Sequence, residues 1–403
     1  MPDLLTPDWL PRLRAARRLI LAFSGGLDST VLLHCLAHIP GCSQKIIAVH
    51  VNHGLSAHAS SWAQHCQSVC QHLNLTCVIE QVKLETSSNL EENAREARYA
   101  VFQSLLQEGD LLLLGHHQDD QAETLLLQLF RGAGVEGLSA MSAIKPFGLA
   151  QIARPLLGWP RQQLAAYAQQ HQLSWIEDDS NSNRAYSRNF LRHEILPLLQ
   201  TRWPGVAANL ARTAGHCQQA RDLLDDWVVQ QNLDLSQATL SVAPLLDMNE
   251  AQRTQILRTW LKRHVPRAPD AAVMQRLLAE VIDAGEEANP LLTLGDYCVR
   301  RYRQTLYVLG VEEAVGVLNQ AELEKIMASA CEQGLVVPAG ARVEVRFRQG
   351  GERFFWHGQH KSLKKLFQEW GVPGWLRGRI PLVYVDGELV AVLGYAVGDR
   401  FYR

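Results

Sequence analysis

The sequence has no C-x-x-C pair among its eight cysteines, no apolar run approaching membrane-spanning length, and no excess of charge of either sign. Each absence excludes something. Cysteines scattered from Cys35 to Cys331 offer no spacing for a zinc or iron–sulfur site. Without an export signal they read as reduced thiols. Runs such as Leu111 to Leu114 fall far short of the roughly 20 apolar residues a bilayer requires. Arg12, Arg14, Arg17 and Arg18 are followed only by Leu19 to Phe23 before Ser24, too short for a signal peptide, so a cytoplasmic protein is expected. With 39 Lys and Arg against 41 Asp and Glu, the net charge is −2, and a nucleic-acid surface has to come from local clustering. Internal repeats, low-complexity tracts and the Walker string G-x-x-x-x-G-K-[ST] are also missing.

What remains is a chain of 403 residues, 47% hydrophobic and 20% charged, the profile of a soluble globular protein of two or three domains. Up to about residue 155, short apolar runs alternate with helical patterns. Strands are expected at 18–23, 45–52, 76–82, 110–116 and 151–156, with helices at 28–38, 58–73, 90–107 and 118–130. That alternation predicts an α/β, Rossmann-like parallel sheet covered on both faces. Trp159-Pro160 opens a further helix. Residues 190–284 are mostly helical in pattern, 291–309 turns strand-like, and 312–338 reads as a helical connection. The expected organisation is a catalytic α/β domain over 1–215, a mostly helical domain over 216–315, and a small basic α+β domain over 330–403.

The first expected strand runs straight into Ser24-Gly25-Gly26-Leu27-Asp28-Ser29. Strand, glycine turn and helix start together bind phosphate, because free backbone N–H groups and the positive end of the helix dipole face the anion. The glycines permit close approach, Ser24 and Ser29 add hydroxyls, and Asp28 is placed to hold Mg2+ on the phosphates. A plain helix start explains a bare Ser-Gly-Gly equally well. It does not explain the whole string placed directly after an apolar strand. By contrast, Gly132-x-Gly134-x-x-Gly137 follows a helix and not a strand, so it reads as a helix exit and not a dinucleotide fingerprint.

The fourth strand leads into Leu114-Gly115-His116-His117-Gln118-Asp119-Asp120-Gln121-Ala122-Glu123-Thr124. Asp120 and Glu123 lie at i, i+3 on one helix face. Acids in a first helical turn complement the dipole, which accounts for one or two of them but not for two adjacent histidines as well. Acids beside a phosphate site repel phosphate; they suit a cationic co-substrate or Mg2+.

The glycine string resembles the PP-loop of the ATP pyrophosphatase superfamily. That resemblance implies cleavage of ATP to AMP and pyrophosphate. Three further strings narrow it. The histidine–acid motif continues into Arg131-Gly132-x-Gly134-x-x-Gly137-Leu138; Glu177-Asp178-x-Ser180-Asn181 precedes Tyr186-x-Arg188-Asn189-x-x-Arg192; and Arg346-Phe347-Arg348-x-Gly350-Gly351-Glu352-Arg353 leads to Lys364-Lys365-Leu366-Phe367-Gln368-Glu369. Together they resemble the tRNA(Ile)-lysidine synthetase family. The resemblance implies a tRNA(Ile) with a CAU anticodon, free L-lysine and ATP as substrates. ATP adenylates the C2 oxygen of the wobble cytosine, and the lysine ε-amine then displaces AMP. Because an amine of pKa about 10.4 is almost wholly protonated at neutral pH, such a site needs acids to recognise the ammonium and a base to free the nucleophile. Asp120, Glu123 and Asp178 are the candidate acids, with His116 a donor to the cytosine or its adenylate. Arg98, or its neighbour Arg95, is the candidate for stabilising the transferred phosphate. Arg188 and Arg192 are expected near the RNA or the α-phosphate.

Between Arg342 and Arg379, nine Lys and Arg face three Glu, a net of +6, interleaved with aromatic residues. Lys364 and Lys365 are candidates for tRNA phosphates. The rival readings are another PP-loop tRNA-modifying enzyme and a nucleotide-regulated RNA-binding protein without catalysis. A thiolase is expected to carry paired cysteines, and a GMP synthetase an ammonia source.

Overall fold

The computed structural model describes residues 4–54, 58–82, 90–177, 183–267, 269–285, 288, 290–310 and 320–402. Contacts divide the chain into two compact units, Met1–Trp227 and Val228–Arg403.

In the first unit, a short helix α1 (Leu10–Ala15) precedes β1 (Leu19–Ala22), α2 (Leu27–Ala37), β2 (Ile46–Asn52), α3 (Ala59–His72), β3 (Thr76–Gln81), α4 (Leu90–Leu105), β4 (Leu111–Leu113) and α5 (Gln118–Phe130). The short α6 (Val135–Leu138), β5 (Ile144–Phe147), β6 (Ala150–Ala153) and α7 (Arg161–Gln170) follow. The six strands form one sheet in the order β3-β2-β1-β4-β6-β5. All pairings are parallel except β5 with β6. The antiparallel edge strand is the one element of this sheet that the alternation of apolar runs does not announce. Its sequence, Ile-Lys-Pro-Phe, has two exposed central residues and a proline, both suited to an edge.

Side-chain alternation divides the core. Leu19, Leu21 and Phe23 point to one face with Val31, Leu32 and Leu36 of α2. Ile20 points to the other with Val49, Leu112, Ile152 and Phe102 of α4. Strands buried on both faces read as continuous apolar runs for this reason. The glycines after α5 act as a helix exit: Arg131 is its C-cap and Gly132 has φ +69°.

Helices α8 (Ser187–Phe190), α9 (Leu196–Arg202) and α10 (Val206–Gln230) follow, with a π-helical stretch at Leu191–Ile195. Leu191 and Leu196 pack against Ala122 and Leu126 of α5.

The second unit opens with β7 (Thr239–Ser241), α11 (Ala243–Leu246), α12 (Glu250–His264) and α13 (Ala271–Arg276). The strands β8 (Leu291–Leu294), β9 (Tyr297–Tyr302) and β10 (Thr305–Gly310) join β7 in an antiparallel sheet, β7-β10-β9-β8. After α14 (Gln320–Glu332) come β11 (Val343–Arg346), β12 (Arg353–Trp356), β13 (Gln359–Ser362), α15 (Leu363–Glu369), β14 (Leu382–Val385), β15 (Glu388–Val392) and β16 (Ala396–Val397). They make a second antiparallel sheet, β11-β14-β15-β16, and the hairpin β12-β13. On α15, Leu363, Leu366 and Phe367 are buried while Lys364 and Lys365 are exposed, so one short helix separates an apolar from a basic face.

Candidate active site

Strand order reverses between β1 and β4, because β2 and β3 continue on one side of β1 while β4 and β6 lie on the other. In open α/β sheets this reversal leaves a crevice beyond the carboxyl ends of the two strands. Both sequence motifs leave those ends. The sheet topology therefore brings Ser24 to Ser29 and His116 to Glu123 together, 92 residues apart in sequence as measured from Ser24 to His116.

The glycine loop is tightly fitted. Gly25 has φ +81°, and a Cβ there would lie 2.6 Å from Ile176 Cδ1 and 2.9 Å from Cys66 Sγ. Ile176 N–H donates to the Gly25 carbonyl at 2.8 Å. Ser29 Oγ donates to the Gly26 carbonyl at 3.0 Å and lies 3.1 Å from Ser24 Oγ. Gly26 caps α2 without a side-chain cap, so the first N–H groups of that helix are left for an anion. Gly115 presses on the same turn: a Cβ there would stand 3.1 Å from the Asp28 carbonyl and from Ser29 N. The glycine of the second motif is thus required by the backbone of the first.

Asp28 reaches towards His117, with Oδ2 at 3.6 Å from Nε2. Its other oxygen, Oδ1, is shielded from solvent and has no hydrogen-bond partner. A buried carboxylate oxygen without a donor is costly unless a cation relieves it. No cluster of three His, Cys, Asp or Glu suited to a metal occurs among the described residues. One carboxylate is what Mg2+ needs when phosphates supply the remaining ligands.

His117 is 1% exposed and stands at the N-cap position of α5, where its backbone N–H donates to Asp120 Oδ2 at 3.0 Å, and carboxylates of Asp28, Asp119 and Asp120 stand 3.4–3.6 Å from its ring nitrogens. Burial pushes its pKa down, but the Asp119, Asp28 and Asp120 carboxylates around the ring outweigh that and raise it to about 10. His116 has the opposite fate. Burial, together with Arg154, Arg188 and Arg95, outweighs Asp120 and lowers its pKa to about 3. Arg154 Nε donates to His116 Nδ1 at 3.3 Å. A guanidinium only donates, so the neutral ring carries its proton on Nε2. Two adjacent histidines are therefore held in different protonation states.

The sign of the His117 effect can be measured. A base with a higher pKa in the folded state stabilises the fold when protonated. That contribution is complete below its ordinary value of 6.5 and is lost as pH rises through about 10. His117→Gln is expected to lower Tm at neutral pH, with the gap from the parent closing as the buffer approaches about pH 10. A gap independent of pH in thermal melts would mean the imidazole is not charged.

Asp120 and Glu123 form one cluster with two predicted arginines. Arg192 donates Nε to Glu123 Oε1 at 2.7 Å and Nη2 to Glu123 Oε2 and Asp120 Oδ1, each at 3.0 Å. Arg188 donates to Thr124 Oγ1 at 2.8 Å, and its Nε lies 3.5 Å from Glu123 Oε2. Despite burial, His117, His116 and Arg192 hold the Asp120 pKa below the usual carboxylate range. For Glu123, 1% exposed, burial wins over Arg192 and the pKa is raised. Asp119 serves another end, accepting from Arg161 N at the start of α7 at 2.8 Å.

On α4, Arg98 and Arg95 have different neighbours. Arg98 lowers the pKa of His53, just beyond β2, behind the larger effect of burial. Arg95 lies with its guanidinium over the Tyr99 ring and acts on His116 and Arg154. Asp178, with Ser180 and Asn181, falls outside the described residues. Lys364 and Lys365 belong to the second unit. Sequence reasoning assigned no role to His117 or Arg154. The doubled histidine was the signal for the first. The second follows the last parallel strand at the same carboxyl edge.

Comparison with known proteins identifies the family. Three family profiles match: one described as a PP-loop domain over residues 4–199, a TilS substrate binding domain over 240–307, and a TilS substrate C-terminal domain over 343–402. The tRNA(Ile)-lysidine synthase of Legionella pneumophila (strain Paris) is 45% identical over 414 residues, covering 99% of this chain and 96% of the relative. Those of Serratia proteamaculans (strain 568) and Coxiella burnetii (strain RSA 493 / Nine Mile phase I) are 42% and 38% identical, covering 96% and 94% of this chain and 93% and 89% of the relatives. Identity of this level, sustained along almost the whole length of both sequences, shows that the chain belongs to the tRNA(Ile)-lysidine synthase family.

Proposed function

We propose that this chain joins L-lysine to C2 of the wobble cytidine in a tRNA(Ile) bearing a CAU anticodon, using ATP and releasing AMP and pyrophosphate. The product, lysidine, pairs with A instead of G and moves decoding from AUG to AUA. The observation that carries this reading is the meeting, at one sheet crevice, of an uncapped helix start, a carboxylate oxygen without a donor, and a buried acid–arginine cluster.

Each part has a task. Residues Ser24 to Ser29 cradle the phosphates of ATP. Asp28 would hold Mg2+, which neutralises developing phosphate charge when bound. His116, neutral with its proton on Nε2, donates a hydrogen bond to the cytosine or its adenylate. Arg98, with Arg95 as the alternative, stabilises the transferred phosphate. Asp120 and Glu123 recognise the lysine ammonium, with Asp178 as a third acid. Since Arg192 spans both carboxylates, lysine enters by exchange of one cation for another, and the released arginine turns to RNA or α-phosphate. Its position in a π-helical stretch, a feature frequent at functional sites, suits such a movement. The wobble base leaves an anticodon loop, where unstacking is cheap.

Residues 1–215 supply the chemistry in this reading, 216–315 bind tRNA or substrate, and 330–403 add affinity for tRNA. We place the reaction in the cytoplasm. Separately, no helix among the described residues is long and apolar enough to cross a membrane. The direct test incubates the protein with ATP, Mg2+ and bulk tRNA, offering labelled lysine in parallel with sulfide and ammonia donors. Lysine incorporation with equal AMP and pyrophosphate is expected. ADP and phosphate as the main products would remove the PP-loop chemistry.

Neutralising the exposed Lys364 and Lys365 together is expected to weaken binding of all tRNAs. The log–log salt dependence should flatten by about one to two units, at roughly 0.7–0.9 per phosphate contact. Choice of anticodon should change less, because phosphate contacts position and base contacts specify. Affinity at several salt concentrations, with unchanged melting of the double variant, decides this. An unchanged slope means a merely solvated face.

A further inference from the structure

The second unit carries an aromatic cleft that the reaction leaves unused. It has a volume of about 580 Å³ and is walled by Trp356, His357, Tyr395 and Tyr402, with Gln333 and Asp399 among its polar residues. Two of its rings are unusually open: Tyr395 is 41% and Tyr402 64% exposed.

Both rings are nevertheless anchored. Tyr395 stacks on Trp370 at 5.5 Å with the planes 19° apart, and Trp370 meets Trp356 edge-on at 5.3 Å. Tyr402 lies against the backbone of Gly334, where a Cβ would come within 2.8 Å of the ring, and its main chain bridges to Leu335. The turns behind them are tied as well. Gly394 N donates to Gln333 Oε1 at 3.1 Å, and Gly358 N to Asp399 Oδ2 at 2.7 Å. Large aromatic faces held in place and left open to solvent have already lost the side-chain freedom that stacking a flat partner would cost. Gln333 Oε1 and Asp399 Oδ2 are committed to backbone N–H groups, so the largest surface the cleft offers is its aromatic faces.

The surroundings select the partner. Lys361 Nζ sits 5.4 Å from the Trp356 ring centroid, and Arg400 lies over Phe355 at 4.5 Å. Glu369 and Glu388 approach these two cations, each at 3.6 Å. The segment from Arg342 to Arg379 still has nine cations against three acids. Aromatic faces interleaved with cations are the usual platform for single-stranded nucleic acid.

We propose that this cleft stacks an unpaired base of the bound tRNA between or upon Tyr395 and Tyr402. The proposal rests on the tRNA-modifying function above, adding a second contact of different chemistry from the lysine–phosphate contacts of α15.

The test measures binding of three RNAs to the full chain: whole tRNA, a blunt-ended duplex, and the same duplex with a single-stranded 3′ extension. Tyr395→Leu keeps an apolar side chain on Trp370 and removes the π face; Tyr395→Phe keeps the face and removes the hydroxyl. Tyr395→Leu is expected to weaken tRNA and the extended duplex by about fivefold or more. The blunt duplex should bind as before, and the salt slope should not move, because no phosphate contact is lost. Tyr395→Phe should bind like the parent. Equal affinity of Tyr395→Leu and the parent for every RNA, with equal Tm, overturns the proposal. So does a loss as large on the blunt duplex, or competition by free ATP that the leucine variant abolishes. Tyr402→Leu serves in the same design if Tyr395→Leu does not fold. Failure of the parent itself to bind tRNA would instead remove the function on which the proposal rests.

Discussion

Glu123→Gln is expected to raise the lysine concentration for half-maximal lysidine formation by more than about a hundredfold, while ATP-dependent adenylation of the tRNA falls far less. Glu123 is 1% exposed and both its oxygens bond to Arg192, with Arg188 at 3.5 Å. Glutamine keeps the shape and removes the charge. Asp120 alone then faces Arg188, Arg192 and the incoming ammonium. Breaking a buried charge pair costs about 3–5 kcal/mol, which is a factor of more than a hundred in affinity. The adenylation half-reaction uses the glycine loop and Asp28, which Glu123 does not touch. The experiment follows adenylated tRNA without lysine, and lysidine against lysine concentration, for the parent and the variant. If both half-reactions fall equally, the acids serve magnesium and not lysine. Because Glu123 also pins two arginines, Tm is measured alongside, and a variant that melts at the assay temperature is replaced by Asp120→Asn.

Asp28→Asn is expected to stop turnover, with a fall in kcat of about a thousandfold or more and little change in fold. Metal assistance at a phosphoryl centre is worth several kcal/mol. Here one carboxylate is placed to provide it. Its Oδ1 has no donor among the described residues, and the amide would put either a neutral oxygen or an N–H in that position. The loop itself depends on Gly25, Gly26 and Ser29, so its shape should survive. His117 would keep Asp119 and Asp120 as partners. Pyrophosphate release measured against Mg2+ concentration tests this. Turnover with the parent's magnesium dependence would move the metal elsewhere.

The catalytic unit was largely legible because its information is local. A parallel sheet buried on both faces writes itself as apolar runs, and a phosphate loop writes itself as glycines between a strand and a helix. The acids of α5 were visible for a similar reason: helical spacing alone puts Asp120 and Glu123 on one face. The basic helix α15 likewise declared itself in Leu-Lys-Lys-Leu-Phe. The middle of the chain was less readable. Of the four strands there, β8, β9 and β10 follow one another in tight hairpins inside the 291–310 span, whereas β7 pairs with β10 across more than 60 residues, and that pairing leaves little local periodicity.

The sequence by itself determined the parts: a phosphate-binding turn, a histidine–acid helix start, two arginines four residues apart, and a basic aromatic end. Only the tertiary structure decided how those parts are joined. Strand order placed the two motifs at one crevice and made Gly115 a condition for the turn at Asp28 and Ser29. Packing of Leu191 and Leu196 on α5 brought Arg192 onto Asp120 and Glu123, so the acids are not an open cage but one already holding a cation. Burial then drove His116 and His117 apart, one neutral beside Arg154 and one charged among three carboxylates. Residue identity sets which charges a side chain can carry. Which charge it does carry depends on neighbours a few ångströms away, and those neighbours come from distant parts of the chain.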